Sequence, residues 1–129
     1  MTVKKILVVD DEPDTVTYLT AILEDHGYAV CSAHNAEKGM ELLEQEIPDL
    51  MLVDVMMPGT SGPNLVRRVR GHPTHGDLPV IVVTGKAEVL HDGFRSYFDR
   101  FNVKHPDGIA EKPFDPALLL KMVEDLLRD

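Results

Sequence analysis

Several short apolar runs in this chain stop on residues able to do chemistry. "KILVV" (5–9) runs into Asp10-Asp11-Glu12, "LMLV" (50–53) into Asp54, "VIVV" (80–83) into Thr84, and "GIA" (108–110) into Glu111-Lys112. Taken together, Asp10, Asp11, Asp54, Thr84 and Lys112 offer carboxylates, a hydroxyl and an amine. Carboxylates gathered in one place repel by ~1 to 4 kcal/mol per pair at ~4 Å, depending on screening. A hard divalent cation offsets that repulsion, and Mg²⁺ suits it because it takes one or two carboxylates and keeps several waters. Lys112 adds a second positive charge on a flexible stem. An acid nucleophile, a metal, an amine and a hydroxyl fit phosphoryl transfer, where catalysis is mostly positioning and neutralisation of charge on the equatorial oxygens.

These residues are far apart in the chain, so the fold must bring them together. The four runs, with "YAVCSA" (28–33), alternate with segments of helical spacing. Residues 13–26 carry Val16, Leu19, Ile22 and Leu23 on one face and stop at Gly27, a natural residue after a helix end. Residues 35–46 offer Asn35 as cap, with Ala36, Met40 and Leu43 inward. A third helix begins at Gly62-Pro63 and packs Leu65, Val66 and Val69; a fourth holds Leu90, Phe94, Tyr97, Phe98 and Phe101. The fifth starts at Asp115-Pro116 and aligns Leu118, Leu119, Met122, Val123, Leu126 and Leu127 as one stripe. Near-continuous apolar strands alternating with helices predict an α/β fold with a parallel sheet covered on both faces. The leading topology is the doubly wound order 2-1-3-4-5, whose ligands bind beyond the carboxyl ends of the strands. The polar residues after the strands then converge on one pocket.

A length of 129 residues predicts a single domain over 1–129, able to bury a core without disulfides. No second pattern follows the fifth helix, so no output domain is expected. The formal charge of −9 argues against a grip on nucleic acid, which requires a basic face. No apolar run approaches the ~18 residues of a membrane span, and the start does not resemble a secretory leader, so the cytoplasm is expected. The lone Cys31 reads as a buried, inert thiol. His72 and His75 flank a proline-containing loop without a convincing metal constellation, and the histidines are expected to be solvated.

"DDE" after the first strand, "DVMMPGTSG" with its Asp-x-x-Met-Pro-x-x-x-Gly spacing, the Thr84-Gly85 pair and "KPF" occur in register across essentially the whole chain. In this combination the chain resembles the receiver domain of two-component response regulators. The resemblance implies a flavodoxin-like receiver fold and a signalling module rather than a conventional enzyme. It implies that Asp54 is the phosphoacceptor, taking a phosphoryl group from a phosphohistidine on a sensor histidine kinase or phosphotransfer protein. Asp11 and Asp54 would ligate Mg²⁺ directly, joined by the backbone carbonyl of Met56, with Asp10 acting through water. Thr84 would donate its hydroxyl to the bound phosphoryl and Lys112 would pair with it. Met57-Pro58 would shape the following loop, Gly85 would leave room for the donor, and Lys112-Pro113 would be cis. Phosphorylation would alter binding to a downstream protein or a second copy through the 84–128 face, with no contact to nucleic acid or membrane by this domain.

Two features depart from that pattern. Ile109 stands where the family usually has an aromatic residue that couples to the threonine, so the aromatic half of the switch is missing. The stretch between Thr84 and Lys112 is longer than usual, offers "FNVKHPDG" before the fifth strand, and concentrates Phe94, Tyr97, Phe98 and Phe101. At helical spacing such a stripe is first of all core packing, with a partner or dimer surface as the sharper alternative. Two other functions stay open: a receiver-like adaptor that ignores phosphorylation, and an aspartate-nucleophile phosphatase. The latter wants Asp-x-Asp, and Glu12 fills the second acid position.

Overall fold

A computed structural model describes residues 3–55, 62–85 and 96–128. Five strands, β1 (Lys5–Val9), β2 (Ala29–Ala33), β3 (Leu50–Asp54), β4 (Val80–Thr84) and β5 (Gly108–Glu111), form one parallel sheet in the order β2-β1-β3-β4-β5. Helices α1 (Pro13–Asp25), α2 (Ala36–Glu46), α3 (Gly62–Arg70) and α5 (Pro116–Leu127) connect or follow them. Residues 96–100 are also helical and are called α4. The expected order and layering hold. The third, fourth and fifth strands run one residue further than the apolar runs, so Asp54 and Thr84 are themselves strand residues.

Because strand side chains alternate between faces, the sheet divides its apolar residues between two cores. Leu7, Val9, Met51, Val53, Val80 and Val82 meet α2, α3 and Phe98 of α4. Ile6, Val8, Leu50, Leu52, Ile81 and Val83 meet Leu19 and Leu23 of α1 and Leu119 and Val123 of α5. β3 and β4 are buried along their whole length, as central strands of a doubly covered sheet must be.

The helix ends follow the local signals. Asn35 caps α2 by accepting from the Lys38 N–H at 2.7 Å, and Asp115 caps α5 by accepting from the Ala117 and Leu118 N–H groups. Gly27 takes φ +90° just beyond α1, a left-handed geometry that glycine adopts without a Cβ clash. The α5 stripe needs correction: Leu118 is 59% exposed, whereas Leu119 and Val123 form the buried line. Leu118 and Leu119 are adjacent, and a 3.6-residue period cannot turn both fully inward.

The aromatic stripe also splits. Phe98 is fully buried and Tyr97 partly so, whereas Phe101 is exposed, with the Arg67 guanidinium 4.0 Å above its ring. Leu90 and Phe94 lie outside the described residues. Cys31 is partly rather than fully buried, and burial is the main cause pushing its thiol pKa up.

Candidate functional site

Parallel register assembles the site. Val9 pairs with Val53, Asp54 with Val83, and Thr84 with Glu111. Asp10, Asp54, Thr84 and Lys112 therefore reach the same edge of the sheet, each at the end of its strand or one residue beyond. Hydrogen bonds continue the ladder past the strands: the Asp10 N–H donates to Ala33 O at 3.0 Å, Val55 N–H to Val83 O at 3.0 Å, and Lys112 N–H to Thr84 O at 2.7 Å. The site residues are thus mounted on backbone that is already paired.

The end of β3 and the start of α3 pack closely together. The Gly62 N–H donates to Val55 O at 3.1 Å, and a Cβ on Gly62 would lie 2.5 Å from Asp54 O and 2.8 Å from Val55 Cα. Only glycine lets the helix start come this near the strand end. This is the physical content of the glycine that closes the "DVMMPGTSG" motif.

Ligand oxygens of Asp10, Asp11, Glu12 and Asp54 all lie within 4.8 Å of one another. Asp10 and Asp54 are almost completely buried, as is Thr84. Asp10 Oδ1 accepts the Glu12 N–H at 2.9 Å, while Oδ2 is buried without a hydrogen-bond partner. The Lys112 ammonium lies 3.8 Å from Asp10 Oδ2 and 3.4 Å from Glu12 Oε1. Burial holds the Asp10 carboxyl above the usual carboxylate range, against the opposing pull of the Glu12 N–H and the Lys112 charge. For Lys112, burial acts to lower the pKa, but the charges of Asp54, Asp10 and Glu12 prevail and raise it.

A buried oxygen with no hydrogen-bond donor, near one ammonium but set among three other carboxylates, is a position that a hard cation satisfies. The donor set is all oxygen, as Mg²⁺ prefers. The structure thus brings together Asp10, Asp11, Asp54, Thr84 and Lys112. Met56 and Met57-Pro58 lie outside the described residues. The Lys112-Pro113 bond is cis, and a Cβ on Gly85 would meet open space.

One site residue was not singled out in the sequence: Glu12 stands there within "DDE" and the phosphatase alternative, yet its carboxylate joins the cluster. Away from the site, at the opposite, amino-terminal edge of the sheet, Arg70 at the end of α3 is a buried hub for the segments that lead into β4 and β5. One expectation about the histidines fails: His72 is largely buried, its ring bound through Nε2 to Glu44 of α2 and through Nδ1 to the N–H groups of Thr74 and His75. Accepting two backbone N–H groups gives its imidazole a structural task in the loop after α3.

Comparison with known proteins agrees with this architecture. The family model of the response regulator receiver domain matches residues 6–124. A 14.6 kDa protein of Leptolyngbya boryana is 39% identical, over 92% of this chain and 86% of its own. Protein PilH of Pseudomonas aeruginosa is 35% identical, over 95% of this chain and 97% of its own. The chemotaxis response regulator CheY4 of Vibrio cholerae superposes with a TM-score of 0.84 at 25% identity, covering 98% of this chain and all of that one.

Proposed function

Since the chain belongs to the response regulator receiver domain family, we propose that it is one receiver domain over 1–129 that accepts a phosphoryl group on Asp54 and changes partner binding in consequence. The observation that carries this reading is the buried Asp10 Oδ2, which has no hydrogen-bond partner and lies within 4.8 Å of the other carboxylates of the cluster. In this reading an Asp54 carboxylate oxygen forms a P–O bond as the P–N bond of a kinase or phosphotransfer phosphohistidine breaks, and the imidazole leaves. Thr84 donates its hydroxyl to a phosphoryl oxygen, and Lys112 pairs with another. Asp11 and Asp54, with the Met56 carbonyl, would hold Mg²⁺ directly and Asp10 would hold it through water; the bound ion supplies charge neutralisation at the phosphoryl oxygens. The domain assists its own modification without being a conventional enzyme, and its work lies in the cytoplasm.

Phosphorylation replaces the single charge of the Asp54 carboxylate by a phosphoryl group of ~1.5 to 2 negative charges, a net gain of about one, beside buried Asp10 and Thr84. The backbone link from Lys112 N–H to Thr84 O ties the ends of β4 and β5 to that event. The 84–128 face, including α5 with its exposed Leu118, is the surface through which it would reach a downstream protein or a second copy.

The test is incubation with Mg²⁺ and acetyl phosphate, followed by intact mass. A single phosphate adduct is expected, absent from Asp54→Ala and from metal-free protein. A folded wild-type chain that neither forms the adduct nor binds a stable phosphoryl mimic would refute the reading. The adaptor alternative draws on Ile109, which is partly buried against the α2–α3 core and has no ring to swing. Partner affinity unchanged by phosphorylation would favour that alternative.

A further inference from the structure

Glu12 occupies the N-cap position of α1 with extended backbone, φ −96° and ψ 110°, yet its side chain makes no capping hydrogen bond. Its own N–H is held by Asp10 Oδ1. The carboxylate instead reaches across the site to Lys112, one hundred residues away, with Oε1 3.4 Å from Nζ. Besides the charge of Asp54, the ammonium therefore has two carboxylates of different character within ion-pair distance. Asp10 is fixed and buried, whereas Glu12 is 62% exposed and the Lys112 side chain 25% exposed.

We propose that Glu12 is a positioning residue that holds Lys112 at the mouth of the pocket until a phosphoryl group on Asp54 claims the ammonium. The proposal rests on the phosphoacceptor reading above. A phosphoryl group carries ~1.5 to 2 negative charges in place of the one on the Asp54 carboxylate and presents three strong acceptor oxygens, whereas an exposed carboxylate pairs weakly. Glu12 can return to water at little cost, and Asp10 cannot. Glu12 thus sets how readily Lys112 is released, and with it the threshold for phosphoryl capture. An exposed ion pair of this kind is worth about two- to fivefold in affinity.

The experiment titrates beryllofluoride, in the presence of Mg²⁺, into the full chain by calorimetry for wild type, Glu12→Gln, Lys112→Met and the double variant, with Asp54→Ala and metal-free wild type as controls. Glu12→Gln is expected to bind about two- to fivefold tighter, and Lys112→Met more weakly. In the Lys112→Met background, Glu12→Gln is expected to add nothing, because its effect acts through the ammonium. Weaker binding by Glu12→Gln assigns the residue to the cation and overturns the proposal. An equal gain in both backgrounds assigns it to general charge and also overturns it. Mimic binding by wild type that needs Mg²⁺ and Asp54 upholds the phosphoacceptor reading whatever Glu12 does, and its absence overturns both.

Discussion

The Arg70 guanidinium lies 3.1 Å from Asp107 Oδ2, and this pair joins the end of α3 to the start of β5. Arg70 also donates to the carbonyls of Gly76, Leu78, Lys104 and His105. Asp107 Oδ2 accepts the Val80 N–H at 2.8 Å in addition. One side chain, 2% exposed, therefore fixes the loop before β4 and the unusual "FNVKHPDG" segment before β5.

Arg70→Met is expected to destabilise the fold by on the order of 3 kcal/mol, because four carbonyls lose their donor while Asp107 keeps only Lys104 and the Val80 N–H. Urea denaturation measures it. Arg70→Lys should recover little, since an ammonium cannot span the same acceptors. Arg68, whose pair with Glu37 is solvent-exposed, should tolerate alanine with little change in midpoint.

Gly62→Ala should lower stability by ~1 to 3 kcal/mol and slow adduct formation at Asp54, because the methyl would meet strand backbone rather than a flexible side chain. Denaturation and the acetyl phosphate assay report the two effects separately. Unchanged stability with an unchanged adduct rate would show that the turn absorbs the methyl.

The metal-free protein should lose stability as pH rises through the folded-state pKa of Asp10. That pKa is raised above the 3.8 of an ordinary aspartate, so the folded state binds the proton more tightly than the unfolded chain, and the contribution is present at low pH and lost above. Asp10→Asn should remove this part of the pH dependence and stabilise the metal-free fold by on the order of 1 to 3 kcal/mol. Mg²⁺ should stabilise wild type by ~2.7 kcal/mol at a hundredfold excess over Kd, and Asp10→Asn by less. Lys112 has the opposite charge logic but a raised pKa too, so its contribution is present below 10.5 and lost as pH climbs past its folded value. Thermal melts across pH, with and without Mg²⁺, test all of this.

Phe98→Ala should cost ~3 to 5 kcal/mol, as expected for a fully buried ring. Phe101→Ala should cost only ~0.5 to 1 kcal/mol, the scale of an exposed cation–π contact with Arg67. Comparable losses would contradict the division of the stripe into a core residue and a surface residue.

Periodicity carried most of the fold in this sequence. Apolar runs marked the strands, Asn35, Asp115 and Gly27 marked helix ends, and the alternation of elements left few topologies, because these signals arise from neighbouring residues alone. The convergence of Asp10, Asp54, Thr84 and Lys112 was legible for a related reason: parallel strands put their carboxyl ends on one edge, so a strand-end position already locates a side chain.

What the sequence left open depended on contacts between distant residues. Nothing local distinguishes Arg70 from its exposed neighbour Arg68; burial arises only when α3, the loop before β4 and the approach to β5 close around it. His72 looked solvated until Glu44 of α2 and the turn N–H groups met its ring. Glu12 stood in the sequence only as the third acid of "DDE", and the arrival of Lys112 from the end of β5, with two strands between, gave its carboxylate a partner. Short-range steric and apolar patterning is written into the order of residues, whereas desolvation and ion pairing depend on where the chain brings its remote parts together.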